Sequence, residues 1–363
     1  MKKDDVLKYA NIKHDGSILL GSHTVCDGAD FGRKIGVFTH IHRDHTQLLN
    51  QAMHECSQIY VSRPTLDLLA AIDQDYTQNV SAECYFNGRH IHALDFNTPI
   101  IPKLDEFSTK PEYGDKITLI DTNHILGSCQ VLVETKDNVR ILYSSDFTVG
   151  TKPVLCDILV LDSTHGDPMF NTLIDSKSVE QRLVEYVDQE IQDTKSILIR
   201  AHRGRLEYTM HLLSEYLPKD IHFLVHPTDL KLIPVYRKYG IPIRDCISYN
   251  SFEGENIQEG NYPFVEFRVY GQGSNFLEDT DKMSVFELGG KFLGGGNVLR
   301  HTRRNKYDLE FMDHADYSTI IEYAKKASPK FIVTDYARGK QGAKLAANLE
   351  KEGLQAIALP MNT

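Results

Sequence analysis

The sequence lacks the features that would place the protein in a membrane or on a disulfide-bonded scaffold. No apolar run approaches the roughly 20 residues of a membrane-spanning helix, and the polar first segment, MKKDDVLKYANIKHDG, has no signal-peptide core. The six cysteines form no CxxC pair, which excludes a zinc ribbon and favours a reducing compartment. We therefore expect a cytoplasmic protein that does not associate with a membrane.

The chain also lacks an excess of positive charge, since 40 Lys and Arg residues stand against 50 Asp and Glu and give a net charge of −10. Proteins that bind nucleic acid over much of their surface are normally basic. Any polyanionic ligand would therefore have to meet a local basic patch.

The distribution of apolar residues along the chain divides the sequence into two parts. At roughly 150 residues per domain, 363 residues predict two domains or one domain with a large insertion. In the first 165 residues, short apolar runs predict strands, and a helix is predicted over 64–72. Most of these runs end in Asp, His, Ser or Thr, which favours a layered α/β fold with a site along one rim: SILLG, IGVFTH, QIYVS, ITLID, CQVLVET, VRILYSS and DILVLDS.

From about Ser176 the pattern changes to strands that alternate with helices of 3.6-residue periodicity. The strands KSILIRA, IHFLVH and IPIRD are separated by the helical stretches RLEYTMHLLSEYL and PTDLKLIPVYRKYG. This rhythm predicts a parallel sheet with crossover helices in a second domain of about 130 residues. The closing residues predict helix, strand, helix and strand once more.

The densest group of chemically active residues is Thr39-His40-Ile41-His42-Arg43-Asp44-His45, directly after the strand IGVF. Neutral imidazoles and a carboxylate are donors that zinc prefers. Strand alternation places His40 and His42 on one side for one metal, while Asp44 and His45 can turn toward a second. The alternative is a polar surface loop, which four ligand-type residues at this spacing disfavour.

Two more ligand-type residues follow later strands, His124 in IDTNHILGS and Asp146 in ILYSSDF. Alone, His124 would be interpreted as a core histidine and Asp146 as a helix cap. Together with the His-rich segment they favour a metal site in which Asp146 bridges two ions.

This set resembles the metallo-β-lactamase fold, whose members carry an HxHxDH segment, a later lone His and a later Asp. Asp27, in VCDGA, matches an Asp-Gly of that fold that supports the ligands rather than binding metal itself. His42 stands where the flavodiiron branch would carry a carboxylate, which favours zinc over an iron pair.

Four further segments resemble the β-CASP nucleases and occur in the expected order: LVLDSTHGDP, IRAHRGRLEYTMHLL, VYRKYG and MDHADYSTIIEYAKKASPKFIVTD. The resemblance implies an α/β protein with an αββα metallo-β-lactamase core at 1–167 and 308–363. It also implies an inserted β-CASP domain at 168–307, with the active site in a cleft between the two.

The resemblance also implies roles for individual residues. His40, His42 and His124 would hold a first zinc, Asp44 and His45 a second, and Asp146 would bridge them. The cofactor would be two Zn²⁺, with Mn²⁺ as a substitute in vitro, and the attacking group would be a hydroxide between the ions. His314 would protonate the leaving oxygen, and Asp162 would orient it or a water; alternatively, Asp162 caps a turn through Ser163 and Thr164.

The sequence departs from the family at the last motif. RNA-cleaving members usually carry a histidine there and DNA-cleaving members a valine, whereas this chain has Asp335. We expect Asp335 to ligate the second zinc through oxygen; the alternative is a loop residue beside a weak second metal. The position does not distinguish RNA from DNA.

Two basic segments are candidates for nucleic-acid contact, although such runs are often ordinary solvated surface. One begins a predicted helix, where the backbone N–H groups favour phosphate, and contains Arg203 and Arg205. The other precedes the return to the core and contains Arg300, Arg303, Arg304 and Lys306.

We therefore expect a zinc-dependent phosphodiesterase that cleaves single-stranded RNA, as an endonuclease or a 5′-to-3′ exonuclease, in preference to DNA. The first alternative is a DNA exonuclease of the crosslink-repair or ligase-associated type. Two others are a small-molecule metallo-hydrolase, which the large insertion and its β-CASP-like segments disfavour, and a non-catalytic scaffold, which the filled ligand positions disfavour. The sequence leaves a monomer and a homodimer open.

Overall fold

The computed structural model describes residues 2–72, 90–105, 109–172, 176–194, 196–260, 262–272, 283–289, 299–303 and 305–361. The chain divides into two compact units. The first unit comprises Met1–Asn171 and His314–Thr363, and the inserted unit comprises Thr172–Asp313. None of the helices in the described ranges is long and apolar enough to cross a membrane.

The first sheet of the first unit has six strands in sequential order, antiparallel up to the third and parallel from there on. They are β1 (Ala10–Ile12), β2 (Ile18–Leu20), β3 (Thr24–Cys26), β4 (Ile35–Val37), β5 (Gln58–Ser62) and β6 (Ile91–Leu94). The helices α1 (Lys3–Tyr9), α2 (Arg43–Thr46), α3 (Leu49–Glu55) and α4 (Arg63–Ala71) accompany them. Helix α4 begins where the Ser62 hydroxyl accepts from the Thr65 N–H, with a proline in the first turn.

The second sheet has the order β19-β18-β10-β9-β8-β7, so the last two strands of the chain join strands made before the inserted unit. Its strands are β7 (Lys116–Asp121), β8 (Cys129–Glu134), β9 (Arg140–Tyr143), β10 (Ile158–Leu161), β18 (Phe331–Asp335) and β19 (Ala356–Leu359). Strands β9, β10 and β18 are parallel. Their carboxyl ends therefore share one edge, and Asp146, Asp162 and Asp335 lie there.

The two sheets face each other across one apolar core. Val37 and Leu20 of the first sheet share a buried cluster with Val131, Val160 and Val333 of the second. The other face of the second sheet packs against α9 (Tyr317–Ala327) and α10 (Gly342–Lys351), while α3 and α4 pack on β5. The predicted αββα layering is therefore confirmed.

The inserted unit has a seven-stranded sheet of order β13-β12-β14-β11-β15-β17-β16, parallel except for β16 against β17. Its strands are β11 (Ser196–Ala201), β12 (His222–Val225), β13 (Cys246–Ser248), β14 (Phe264–Val269), β15 (Ser284–Leu288), β16 (Leu299–Arg303) and β17 (Lys306–Leu309). The helices are α5 (Ser176–Thr194), α6 (Arg205–Tyr216), α7 (Pro227–Lys238) and α8 (Phe252–Glu259). The predicted parallel sheet with crossover helices is confirmed.

One predicted strand, IPIRD, is wrong. Residues 241–245 are not a strand, and the ladder begins only at Cys246. Pro242 has no N–H to donate to a ladder. Arg244 instead turns its guanidinium to the carbonyl oxygens at the end of α6, those of Leu217 and Ser214 among them.

Candidate metal centre and active site

The His-rich segment leaves the first sheet at the end of β4. Phe38 and Ile41 are almost completely buried and so anchor the segment. His42 then stands at the start of the short helix α2, so His45 follows one turn later on the same helix. The side chains of His40 and His45 are almost completely buried, whereas that of Asp44 is 61% exposed.

Three imidazole nitrogens meet at one point. His42 Nδ1 lies 3.0 Å from His40 Nε2 and 3.2 Å from His124 Nε2. Two nitrogens bound to one zinc at 2.0–2.1 Å in tetrahedral geometry are about 3.3 Å apart. The spacing of the three rings therefore fits a single metal ion.

The hydrogen bonds of His40 and His45 are made by Nδ1 and orient each ring so that Nε2 faces the site. Thr39 Oγ1 uses its proton on Asp27 Oδ2, at 2.8 Å, so His40 Nδ1, 3.0 Å from Thr39 Oγ1, must be the donor there. His45 Nδ1 likewise donates to Asp27 Oδ2 at 2.8 Å. In both rings Nε2 is then the nitrogen that a metal would bind.

Asp27 is the support of this arrangement. Besides His45 and the Thr39 hydroxyl, its carboxylate accepts the Thr39 N–H at 2.7 Å and the Tyr143 hydroxyl at 3.0 Å. Burial alone would raise the pKa of Asp27, but the charge and hydrogen bond of His45 hold it below its usual value. The carboxylate is therefore ionised and fixed in orientation.

Asp146 lies at the centre of the site. Its Oδ2 lies 3.2 Å from Nε2 of His45, 3.5 Å from that of His40, 3.6 Å from that of His124 and 3.9 Å from that of His314. Burial alone would raise the pKa of Asp146, yet the positive charges of His45 and His314 keep it well below its usual value. One ionised oxygen thus faces four imidazoles.

The histidines divide into two electrostatic types. Burial and the neighbouring rings of His314 and His42 lower the pKa of His124 well below the ordinary value, and burial with His45 lowers that of His40. Burial disfavours the imidazolium of His45, but Asp146 and Asp27 outweigh it and raise its pKa well above the ordinary value. His40 and His124 are therefore ready-made neutral ligands, while a metal at His45 would displace a proton.

A second position lies beside His45. Its Nε2 is buried between two carboxylates, 3.2 Å from Asp146 Oδ2 and 3.6 Å from Asp44 Oδ2. An imidazole nitrogen between two carboxylates is a donor set that fits a second cation. The tightest possible metal groups within the described residues are His40, His42, His124 and Asp146, and Asp146, Asp162 and His314.

His314 joins the site from the other end of the chain, just before α9. Its Nδ1 lies 3.2 Å from Asp162 Oδ2, and its ring centroid is 4.8 Å from that of His124. The other oxygen of Asp162 accepts the N–H and the hydroxyl of Thr164, both at 2.8 Å. Asp162 thus contacts both the turn at Thr164 and the ring of His314, and its part in orienting a proton donor stays a prediction.

The structure does not bring Asp335 into either metal group. Its carboxylate accepts the N–H groups of Ala337 and Arg338 and forms an ion pair with Arg338. Its part as a ligand stays a prediction.

The predicted nucleic-acid residues lie in the inserted unit. Arg203 is half-buried and pairs with the buried carboxylates of Glu207 and Asp229, at 3.1 and 2.9 Å, and Arg205 stacks on Phe311. These intramolecular contacts indicate a structural role for both arginines. Their contact with nucleic acid stays a prediction.

The second basic segment lies at the edge of the sheet of the inserted unit. Arg300 is exposed on β16, and Lys306 pairs with Glu287 at 3.1 Å. The Arg303 side chain and Arg304 lie outside the described residues.

Sequence reasoning missed four supporting side chains: Thr39, Tyr143, Ser145 and Arg338. Tyr143 is 116 positions from Asp27, and Ser145, which donates to the Thr39 hydroxyl at 2.8 Å, is 106 from Thr39. Only Thr39 had a local signal, its place directly before His40. The other three are set by which strands lie side by side.

We expect the substitution Asp27→Asn to weaken metal binding at His45 about 10- to 100-fold, because the amide no longer fixes the tautomer of that ring. The measurement is zinc affinity against a competing chelator. The matched control is Tyr143→Phe, which removes one of three donors to Asp27 Oδ2; it should lower stability by about 1 kcal/mol and keep the affinity. Unchanged affinity in Asp27→Asn would show that Asp27 does not support the site.

The sequence is similar to several known proteins, although no family model matches it. The chain is 25% identical over 346 residues to an RNase J-like protein of Methanocaldococcus jannaschii, across 80% of this chain and 78% of the relative. It is 24% identical over 374 residues to the transcription termination factor FttA of Methanothermobacter thermautotrophicus, across 81% and 56%. A probable DNA ligase of Opitutus terrae is 20% identical over 341 residues, across 91% of this chain but 29% of that protein.

A solved structure resembles the fold as well. The crystal structure of a protein of unknown function from Enterococcus faecalis aligns with a TM-score of 0.58 at 13% identity, covering 92% of this chain and 81% of that one. At that identity the likeness concerns the fold alone.

Proposed function

We propose, from the premise that the chain belongs to the β-CASP nuclease family of metallo-β-lactamase-fold proteins, that it is a metal-dependent nuclease acting on single-stranded nucleic acid. The observation that carries the proposal is Oδ2 of Asp146, which faces the Nε2 atoms of four histidines. One of these, His314, is also held by a second carboxylate. A metal-binding set and an oriented proton donor thus meet at one place, as metal-assisted hydrolysis requires.

We infer that the cofactor is a pair of zinc ions, with Mn²⁺ as a substitute in vitro. Imidazole nitrogens and carboxylate oxygens at tetrahedral spacing favour zinc. His40, His42 and His124 would hold the first ion. Asp44 and His45 would hold the second, and Asp146 would be shared between them.

The residues of the chain divide the work of the reaction. When bound, the metal pair supplies a nucleophilic water near neutral pH and positive charge for the phosphate oxygens. His314 holds the proton that the leaving oxygen needs, on the Nε2 that points toward Asp146. Asp162 accepts from Nδ1 of the same ring, which fixes the tautomer and stabilises the imidazolium, and Thr164 keeps Asp162 in place.

We infer that RNA is the preferred substrate, cleaved as an endonuclease or from the 5′ end. The RNase J-like relative supports RNA because its match spans most of both chains. The second candidate is a DNA exonuclease, which the match to the probable DNA ligase across 91% of this chain supports.

The deciding experiment compares 5′-labelled single-stranded RNA and DNA of one sequence, with zinc-loaded and chelator-treated protein. We expect RNA to be cleaved and the activity to disappear on chelation. Release of labelled mononucleotide would indicate attack from the 5′ end, and longer labelled fragments internal cleavage. Cleavage of DNA alone would favour the second candidate, and no cleavage of either by fully metal-loaded protein would contradict a nuclease.

A further inference from the structure

Strand β18 ends at Asp335, on the edge of the second sheet that also carries Asp146 and Asp162. Asp335 Oδ1 accepts the N–H of Ala337 at 2.9 Å and that of Arg338 at 3.1 Å, and Oδ2 lies 3.1 Å from Arg338 Nη1. The side chain is only 6% exposed. Three of the roughly four acceptor positions of this carboxylate are thereby used within its own turn.

The guanidinium of Arg338 connects three segments that are far apart in the sequence. Nη1 pairs with Asp335 at the end of β18, Nη2 donates to the Asp27 carbonyl at 2.8 Å, and Nε donates to the Asp44 carbonyl at 3.3 Å. Each of the three nitrogens thus serves a different segment, and the side chain is only 11% exposed.

A fourth segment covers the face of the guanidinium. A Cβ atom on Gly16 would lie 3.3 Å from Cζ and Nη2 of Arg338, and Gly16 has a φ of +89°. The close approach and the left-handed backbone both favour glycine here. Gly16 therefore packs closely against the guanidinium of Arg338.

The two carbonyl groups belong to the segments that carry the second metal position. Asp27 has a φ of 48°, a left-handed conformation that is uncommon for a residue with a side chain, and its carboxylate orients His45. Asp44 and His45 are the predicted ligands themselves. Arg338 therefore holds the main chain of both segments that position His45.

We propose that Arg338 is a positioning residue of the second metal position and that Asp335 is its counter-ion rather than a metal ligand. The inference rests on the proposed metal-dependent function. Ligands must be held within about 0.5 Å of their working geometry, and a planar fork with several fixed donors does this where a lysine ammonium cannot.

The test is a metal titration of the full-length apoprotein with Zn²⁺ against a competing chelator, which gives the affinity of each ion. The variants are Arg338→Lys, Asp335→Asn and Asp44→Ala as the ligand reference, and melting temperature is recorded for all. We expect Arg338→Lys to weaken the second ion about 10- to 100-fold and to keep the first. Asp335→Asn should bind both ions within about threefold of the unchanged protein, although its melting temperature falls.

A general loss of stability would weaken both ions together, so the selective loss identifies positioning. Should Arg338→Lys fold poorly, the double variant Asp335→Asn with Arg338→Met removes the buried pair without leaving one charge alone, and it should show the same selective loss. The inference is overturned if Asp335→Asn loses the second ion as Asp44→Ala does, or if Arg338→Lys binds both with unchanged affinity. An unchanged protein that binds no metal would overturn the proposed function together with this inference.

Discussion

The substitution Asp146→Asn should lower kcat/KM by about 10³-fold or more and release bound metal. The reason is the position of Oδ2 among four imidazole nitrogens, at 3.2 to 3.9 Å. An amide at that position is neutral, so it does not compensate the charge of two cations. The measurement combines metal content per chain with cleavage of labelled RNA.

A matched control for this substitution is Asp157→Asn. Asp157 lies just before β10 in the same sheet, where it accepts the Arg140 N–H at 2.8 Å and pairs with Lys330. Its loss should cost about 1 kcal/mol of stability and keep both metal and turnover. If Asp146→Asn retained two ions and full turnover, the shared-ligand assignment would have to be abandoned.

The substitution His314→Ala should lower kcat about 10²- to 10⁴-fold and leave the metal content unchanged, as expected for a lost proton donor. A substrate whose leaving group needs no proton, such as a p-nitrophenyl phosphodiester, should recover most of the loss. The ratio of the two rates therefore separates a proton donor from a residue that only holds the site together.

Metal content is the second criterion for His314, because its ring also lies within reach of Asp146 and Asp162 as a possible metal ligand. Loss of an ion in His314→Ala would assign it as a ligand and contradict the acid role. An equal loss of rate on both substrates would contradict it as well. The matched control is His54→Gln on the exposed side of α3, which should keep full activity.

The layered α/β architecture of the first unit and the parallel inserted sheet could be predicted from the sequence because their signals are local, whereas the αββα order was implied by the family resemblance. Apolar runs ending in polar residues place the strand ends, and those ends are where Asp146 and Asp162 lie. The exception was IPIRD, where Pro242 interrupts an otherwise apolar run. The apolar composition of the run outweighs the single residue that lacks a backbone N–H, so the pattern predicts a strand.

The ligand-type residues of the site were also local, since His40, His42, Asp44 and His45 lie within six positions. The side chains that hold these residues in place are far from them in the sequence. Arg338 is 294 positions from Asp44 and 311 from Asp27, and nothing near it in the sequence indicates which carbonyl groups it meets. Arg203 illustrates the same limit, because its partner Asp229 lies 26 positions away and converts an apparently exposed basic residue into a buried ion pair.

The neighbourhood of β10 and β18 has a consequence for how the molecule is made. The two strands pair in register, Leu161 beside Thr334, although the whole inserted unit is synthesised between them. While the inserted unit is being synthesised, one edge of β10 has no partner strand. The described strands of the inserted unit, the last of which ends at Leu309, can fold during that time. We expect the second sheet of the first unit to be completed only after β18 and β19 have left the ribosome.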